Sequence, residues 1–112
     1  MRQDLIATLQ AIAQQQTSPQ AEWDKSHEIA RSAACDKVFM DLAPANGPSV
    51  LQEKSLVNSP LKGLAFSVKD LFDVAGQVTL AGSKVLKGAP AAHADCPAVA
   101  RLKAAGGSNL GR

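Results

Sequence analysis

The sequence predicts an α/β fold in which helices near the N-terminus precede a buried strand. Helical apolar patterns occupy the start of the chain, and a continuous apolar run, LAFSV at 64–68, follows a turn. Such a run is typical of a strand that is covered on both faces. A further helical pattern follows at 95–107. Helices before and after a buried strand are the order expected of an α/β protein.

Two helices are predicted near the N-terminus. Ser18 is a preferred N-cap residue and Pro19 suits a first helical position, so the second helix is predicted over 19–34. His27, among charged residues in its middle, is predicted to be a solvated surface residue. The first helix has one apolar face, formed by Leu5, Ile6, Leu9, Ile12 and Ala13. In the second helix four side chains are expected to face inward: Trp23, Ile29, Ala30 and Ala33.

Short elements are predicted in the middle of the chain. We expect a strand at 38–40, a loop at 43–49 and a short helix at 50–56. The turn-forming sequence NSPLKG at 58–63 leads into the strand at 64–68.

The last part of the chain is predicted to contain one strand and one helix. The strand is expected between Gly76 and Gly82. The segment 95–107 predicts a helix that has Asp95 or Cys96 as its cap and Gly106 just beyond its end. Its first turn contains Pro97, and its apolar face contains Val99 and Leu102.

Composition excludes several classes of function. The chain has 112 residues, enough for one domain, and a net charge of +2 without a cluster of Lys and Arg, so no nucleic-acid partner is predicted. Cys35 and Cys96 lie far apart, which suits a reducing compartment and predicts no disulfide framework. No segment resembles a secretory signal or a membrane span, so we expect a cytoplasmic protein.

Two segments resemble ligand sites only superficially. GQVTLAGSK at 76–84 has five residues between its glycines and then Ser-Lys, whereas a phosphate loop needs four and then Lys-Ser or Lys-Thr. HADC at 93–96 offers three metal-binding side chains without a second cluster, and a helix cap is the better interpretation of Asp95. No metal and no cofactor are therefore predicted.

Lys69 directly follows the apolar run and admits two interpretations. A lysine at the end of a strand is most often a surface residue that extends its ammonium group into water. The alternative is a lysine that burial keeps neutral, so that its amine acts as a base. Parallel strands present functional groups at their C-terminal ends, where Lys69 lies. Spacing alone does not decide between them.

Residues 60–112 resemble the N-terminal part of the amidase signature family. The resemblance is carried by PLKGLAFSVKDLFDVAGQVTLAGSKVLKG at 60–88, ADCPAVARLKAAGG at 94–107 and LGR at 110–112. Family members have Pro-Leu-x-Gly, Val-Lys-Asp, Gly-x-x-Thr-x-x-Gly-Ser, a helix and then a strand leading to Gly-Lys/Arg-Thr-Asn. The resemblance implies a division into a helical lead-in, 1–59, and the incomplete start of an α/β core, 60–112, with the first strands and helix of a mixed sheet.

The resemblance implies an activity and a role for one residue. The family cleaves or transfers carboxamide groups of small-molecule amides through a nucleophilic serine, a second serine with a cis peptide bond, and a lysine. Lys69 corresponds to that lysine, which would accept a proton through the second serine. Asp70 belongs to the same motif but is assigned no catalytic role, and anchoring of the following turn is an equally good role for its short side chain. Ser83 belongs to the Gly-Ser turn, where a structural role is expected.

The sequence also departs from the family pattern. Leu80 replaces a frequent threonine, and GGSNLGR at 106–112 contains poor strand formers, which puts the next strand in doubt and predicts a frayed end. Both triad serines are expected beyond Arg112, so the 112 residues alone are expected to be inactive. Ser67 is not expected to replace them, because no glycine-rich elbow or oxyanion donor accompanies it.

Three interpretations remain. The first is a truncated amidase-like protein, and the second is an interaction module that pairs through its strand edge with a separately encoded C-terminal portion or with an intact relative. The third, a self-contained helical domain, is disfavoured by the density of the motifs. Separately, the open edges of the strand at 64–68 predict self-association of the chain. A general amidase and the amidase-like component of an aminoacyl-tRNA amidotransferase agree equally with residues 60–112.

Overall fold

A computed structural model describes residues 3–112. Its regular elements are α1 (Leu5–Ala13), α2 (Pro19–Arg31), β1 (Ala65–Ser67), α3 (Pro97–Ala104) and β2 (Ser108–Gly111). Within the described residues β1 and β2 form a two-stranded parallel sheet. This combination of helices and a short parallel sheet confirms the predicted α/β fold. Short 3-10 helices lie in the connections, at Ala33–Cys35, Ser49–Gln52, Lys54–Asn58 and Lys84–Gly88.

The start of α2 is formed as predicted, but its end is not. Ser18 Oγ accepts a hydrogen bond from the Ala21 amide at 3.1 Å, and Pro19 occupies the first turn. The helix ends at Arg31 instead of residue 34, because Ser32 adopts an extended conformation. The Ser32 hydroxyl donates to the Ile29 carbonyl at 2.7 Å, which gives that helix-end carbonyl a partner.

Two of the four side chains expected to face inward from α2 do so. Trp23 and Ala30 are buried, whereas Ile29 is 45% exposed and Ala33 is also exposed. Positions 23 and 30 are seven residues apart and share a face, while Ile29 lies to one side of it. Ala33 lies beyond the end of the helix, so the helical spacing no longer places it.

His27 is buried, so its prediction as a surface residue was wrong. It shares the inner face of α2 with Trp23, and their ring centroids are 6.2 Å apart. Its Nε2–H donates to the Ala43 carbonyl at 2.8 Å, since a carbonyl can only accept. This hydrogen bond compensates the ring nitrogen for its loss of water.

Buried apolar side chains form two clusters. The first joins α2 to the 3-10 helices and to β2, and contains Trp23, Ala30, Leu51, Leu56 and Leu110. The second joins α3 to the residues after β1, and contains Val68, Val74 and Val99. The division of the chain into 1–59 and 60–112 stays a prediction.

The predicted strand at 38–40 is absent from the described residues. The chain instead pairs slightly later, where Leu42 forms an antiparallel bridge with Gly111. The Ala43 amide donates to the Leu110 carbonyl at 2.8 Å. This pairing is a contact between distant segments, at the place where the chain meets β2. The local sequence does not indicate where that place lies. The short helix predicted at 50–56 is present as two 3-10 helices, Ser49–Gln52 and Lys54–Asn58.

The segment between Gly76 and Gly82 is a loop and not the predicted strand. The amides of Leu80 and Gly82 donate to the carboxylate of Asp70, at 3.0 and 3.4 Å. A strand would direct such amides to a neighbouring backbone. The carboxylate thus replaces a strand partner in this loop.

The doubt about the strand after α3, and the frayed end predicted for 106–112, were wrong. Ser108–Gly111 forms β2, in which Ser108 and Leu110 are buried. The Ser108 amide donates to the Leu64 carbonyl at 3.0 Å, and Ala65 is its neighbour in register. Pairing and burial outweigh the low strand propensity of these residues, as is common for strands. The strand predicted at 64–68 is confirmed as the shorter β1.

Among the described residues, no helix has the length and apolar character that a membrane crossing requires.

Candidate catalytic lysine site

The C-terminal ends of β1 and β2 meet at one edge of the sheet. The strands are parallel, and the Val68 amide donates to the Gly111 carbonyl at 2.9 Å, just past β1. The next residue in each segment is charged: Lys69 after Val68 and Arg112 after Gly111. This edge is the place where parallel sheets carry their functional side chains.

The backbone of Lys69 is held in place, and its amine has no hydrogen-bond or ion-pair partner among residues 3–112. Val68 before it is buried in the second cluster, and the Lys69 carbonyl accepts hydrogen bonds from the amides of Leu71 and Phe72 at 2.7 and 3.1 Å. Its side chain is exposed, and Nζ has no hydrogen bond or ion pair with residues 3–112. The family pattern requires that residues 64–69 are not helical, and in the structure they are not. The dry surroundings that keep an amine neutral are not provided by this part of the chain.

Asp70 holds the loop that follows Lys69, a role that the sequence left open. Its carboxylate accepts from the amides of Leu80 and Gly82, and its Oδ1 pairs with Arg112 Nη2 at 2.9 Å. The hydrogen bond from the Leu80 amide has the largest effect and lowers the pKa of Asp70. Desolvation comes second and raises it, and the Gly82 amide and the positive charge of Arg112 each lower it by a smaller amount. The carboxylate is therefore stabilised in its charged form.

Arg112 is the residue whose importance the sequence did not reveal. Only 6% of its side chain is exposed, and its guanidinium donates to Gln77 Oε1 at 3.0 Å and to the Phe72 carbonyl at 3.1 Å, in addition to Asp70. A longer contact reaches Thr79 Oγ1 at 3.4 Å. The only sequence signal was its position after Gly111 in the Gly-Lys/Arg motif.

A cavity of about 300 Å³ lies against this ion pair. Lys69 is not among the residues that line it, although its neighbour Asp70 is. The lining residues are Met40, Asp41, Asp70, Gln77, Val78, Leu80 and Arg112.

The other residues that the sequence singled out have structural contacts. Ser83 Oγ accepts from the Val85 amide at 3.2 Å and caps the 3-10 helix that follows, as expected. Ser67 is exposed on β1. Within residues 3–112, no group of three His, Cys, Asp or Glu side chains could hold a metal ion.

Of the two caps that the sequence allowed for α3, Cys96 is confirmed, and the interpretation of Asp95 as a cap was wrong. Cys96 occupies the N-cap position, without a capping hydrogen bond from its side chain. Asp95 instead accepts from the Ala75 amide at 2.8 Å and from Lys103 Nζ at 2.9 Å. The Ala75 amide, followed by Lys103, lowers the pKa of Asp95. The carboxylate thus joins α3 to the loop after β1, which the local sequence could not reveal.

The fold and the site define a class: a mixed helix and parallel-sheet segment that presents a lysine at the C-terminal edge of the sheet. The amidase family model matches residues 20–112, and the chain belongs to this family. The match begins inside α2 and includes the whole lysine motif.

Similar proteins include two kinds of curated relative. The chain is 46% identical over 77 residues to AtzE, a subunit of 1-carboxybiuret hydrolase from Pseudomonas sp. (strain ADP), covering 69% of the chain and 17% of that relative. It is 46% identical over 70 residues to a glutamyl-tRNA(Gln) amidotransferase subunit from Treponema pallidum, covering 62% of the chain and 12% of that protein. The chain thus spans less than a fifth of either relative.

Solved structures with this fold include chains of a vestigial protein complex described as revealing the evolutionary origins of an s-triazine catabolic enzyme. One has a TM-score of 0.75 at 28% identity, and an inhibitor-bound form has 0.75 at 30%. Each alignment covers 97% of this chain and 25% of the solved chain. The predicted relationship to the amidase signature family is confirmed.

Proposed function

We propose that this chain contributes Lys69 to an amidase centre that cleaves the C–N bond of small-molecule carboxamides. In this centre Lys69 accepts a proton from a bridging serine held by a cis peptide bond, and that serine deprotonates the nucleophilic serine. Both serines come from outside these 112 residues. The chain alone is then inactive.

The position of Lys69 is the observation that carries the proposal. Its backbone is held at the C-terminal edge of a parallel sheet, while its Nζ has no partner among residues 3–112. Covering chain segments would exclude water from this amine and favour its neutral form.

Relatives support the type of bond. One is named as a subunit of 1-carboxybiuret hydrolase and the other as a subunit of an amidotransferase, and hydrolysis or transfer of an amide group agrees with the proposed cleavage. Because the chain spans a small part of each, the particular amide is left open within this class.

A chimera tests the role of Lys69. Residues 1–112 replace the matching N-terminal segment of a full-length amidase family member, and ammonia release from that member's own amide substrate is measured. We expect activity in the chimera and a loss of about 100-fold or more in Lys69→Met, the size typical for removal of a general base. Lys84→Met is the control, because Lys84 is an exposed lysine of the same motif region.

Two outcomes contradict the proposal. Full activity in the Lys69→Met chimera would show that the lysine takes no part in proton transfer. Ammonia release by the isolated 112-residue chain that is abolished in Lys69→Ala would show that the nucleophile lies within the chain.

A second function, assembly with another chain, is favoured by the exposed apolar side chains near the site. Leu71, Phe72 and Val85 are 58%, 46% and 90% exposed, and one edge of β1 has no strand partner among the described residues. Open strand edges and exposed apolar side chains promote association. Relatives named as subunits, together with a solved complex, agree with pairing between chains.

Sedimentation tests this second function. We expect the pure chain to self-associate, or to form a 1:1 complex when the C-terminal portion of a family member is added. A monomer that unfolds cooperatively at high temperature and does not bind the added portion would contradict it.

We further propose a cytoplasmic location, which agrees with two cysteines, Cys35 and Cys96, that are both free.

A further inference from the structure

Among the described residues, the guanidinium of Arg112 binds the segment that follows Lys69. Its acceptors are the Asp70 carboxylate, the Phe72 carbonyl and the Gln77 side chain, with a longer contact to Thr79. These groups belong to the turn and loop that leave the sheet edge directly after the lysine. No hydrogen bond from its side chain reaches a helix within residues 3–112.

The backbone of Arg112 is itself fixed. Its amide donates to the Asp41 carbonyl at 3.0 Å, and its carbonyl accepts from the Met40 amide at 2.7 Å. Gly111 before it is paired with β1. The guanidinium therefore extends from a backbone that is held by hydrogen bonds, and it connects the end of β2 to the turn after Lys69.

The burial of Arg112 has a cost that simple packing does not explain. Its side chain is 6% exposed, and its Nε is buried without a hydrogen-bond partner among the described residues. Burying an unsatisfied polar N–H destabilises a fold, whereas an apolar side chain would fill the same volume without this cost. The compensation comes from the planar fork of donors, which reaches three acceptors at once in a way that a lysine cannot.

We propose that Arg112 is a positioning residue for Lys69, acting through Asp70 and the Phe72 carbonyl. The proposal rests on the proposed catalytic role of Lys69. The Lys69 carbonyl accepts from the amides of Leu71 and Phe72, so the turn that Arg112 binds is the turn that fixes the lysine backbone. Without the guanidinium, this turn loses its side-chain link to Arg112. The lysine backbone keeps the hydrogen bond from Val68 to Gly111 on one side but loses the support of the turn on the other.

The first test is nuclear magnetic resonance of the 112-residue chain. Backbone amide signals of residues 69–72, and hydrogen exchange at Leu80 and Gly82, are compared between the wild type, Arg112→Lys and Asp70→Asn. We expect both variants to shift and broaden the 69–72 signals and to accelerate exchange at Leu80 and Gly82. Arg101→Gln is the matched control, because Arg101 is an exposed arginine on α3.

The second test uses the chimera and separates kcat from KM. A misplaced catalytic group lowers the rate of the chemical step, so we expect kcat of Arg112→Lys to fall by about 10- to 100-fold with KM unchanged. The double variant Arg112→Lys with Asp70→Asn should lose little more than the worse single variant, because the two residues act in one path.

The outcomes separate the two proposals. If the wild-type chimera is inactive, or if Lys69→Met leaves it active, the proposed function fails, and the resonance test alone decides the positioning by Arg112. Unchanged 69–72 signals in a folded Arg112→Lys chain overturn the positioning proposal, as does an unchanged kcat. Where Arg112→Lys fails to fold, Gln77→Leu, which removes one acceptor only, is measured by the same criteria.

Discussion

Gly106 joins α3 to β2, and its replacement by alanine tests how this connection is built. Its φ is +90°, a conformation that side chains other than glycine adopt only with strain. An added Cβ would collide with the hydroxyl of Ser59 and lie 2.7 Å from the Ser59 Cβ. That hydroxyl donates to the Leu56 carbonyl at 2.6 Å and accepts from the Lys62 amide at 3.1 Å.

The expected loss of stability follows from these contacts. The left-handed conformation costs an alanine about 1 kcal/mol relative to glycine. Moving the Ser59 hydroxyl breaks two hydrogen bonds, each worth about 1 kcal/mol. Gly106→Ala should therefore lower the free energy of unfolding by about 3 kcal/mol, a large share of the roughly 5–15 kcal/mol typical of a domain.

Urea unfolding followed by circular dichroism measures this loss. Gly76→Ala is the matched control, because Gly76 has a φ of +79° and nothing within 4 Å of an added Cβ. It should cost only the strain, about 1 kcal/mol. In a Ser59→Gly background the obstacle is gone, so Gly106→Ala should also cost about 1 kcal/mol there.

Equal losses in Gly106→Ala and Gly76→Ala would refute this reasoning, because the contact with Ser59 would then contribute nothing. A loss of about 3 kcal/mol that persists in the Ser59→Gly background would refute it as well, since the strain alone would carry the whole effect.

Two further predictions concern acid and the buried indole. The folded pKa of Asp70 lies below the ordinary value of 3.8. Its contribution to stability is therefore complete above pH 3.8 and is lost as the pH falls through the lower folded pKa. An acid titration should show that Asp70→Asn loses less stability in that range than the wild type. A wild-type profile unchanged by this substitution would contradict it. Trp23 is fully buried and donates to the Ala45 carbonyl at 2.9 Å, so Trp23→Phe should cost about 1–3 kcal/mol in urea unfolding. A loss below about 0.5 kcal/mol would show that the indole N–H and its volume are not needed.

Local patterns predicted the elements whose formation depends on nearby residues. The start of α2 depends on Ser18 and Pro19, which act within one turn, and it was predicted correctly. The strand at 64–68 and the helix at 95–107 were also found in place, each shortened at its ends. For Asp70 the sequence left anchoring of the following turn open, and its hydrogen bonds with Leu80 and Gly82 show this role.

Interactions between distant residues were not predictable in the same way. The burial of His27 depends on a carbonyl sixteen residues away, at Ala43. The inner face of α2 could be approximated from spacing, but Ile29 was misplaced because its exposure depends on what packs beside it. The segments at 38–40 and 76–82 have compositions compatible with strands, yet no partner strand lies beside them in the described residues.

The sequence by itself determined the family and the motif lysine, because the spacing of Val-Lys-Asp and the following glycines is a local property of the chain. Tertiary structure alone decided that 108–111 forms a strand and that Arg112 binds the turn after Lys69. Strand formation at Ser108 and Asn109 is decided by pairing with β1, which contributes more than their weak propensity removes. The guanidinium of Arg112 meets Asp70 across 42 positions of sequence, and only the parallel pairing of β1 with β2 brings these two charges to one edge.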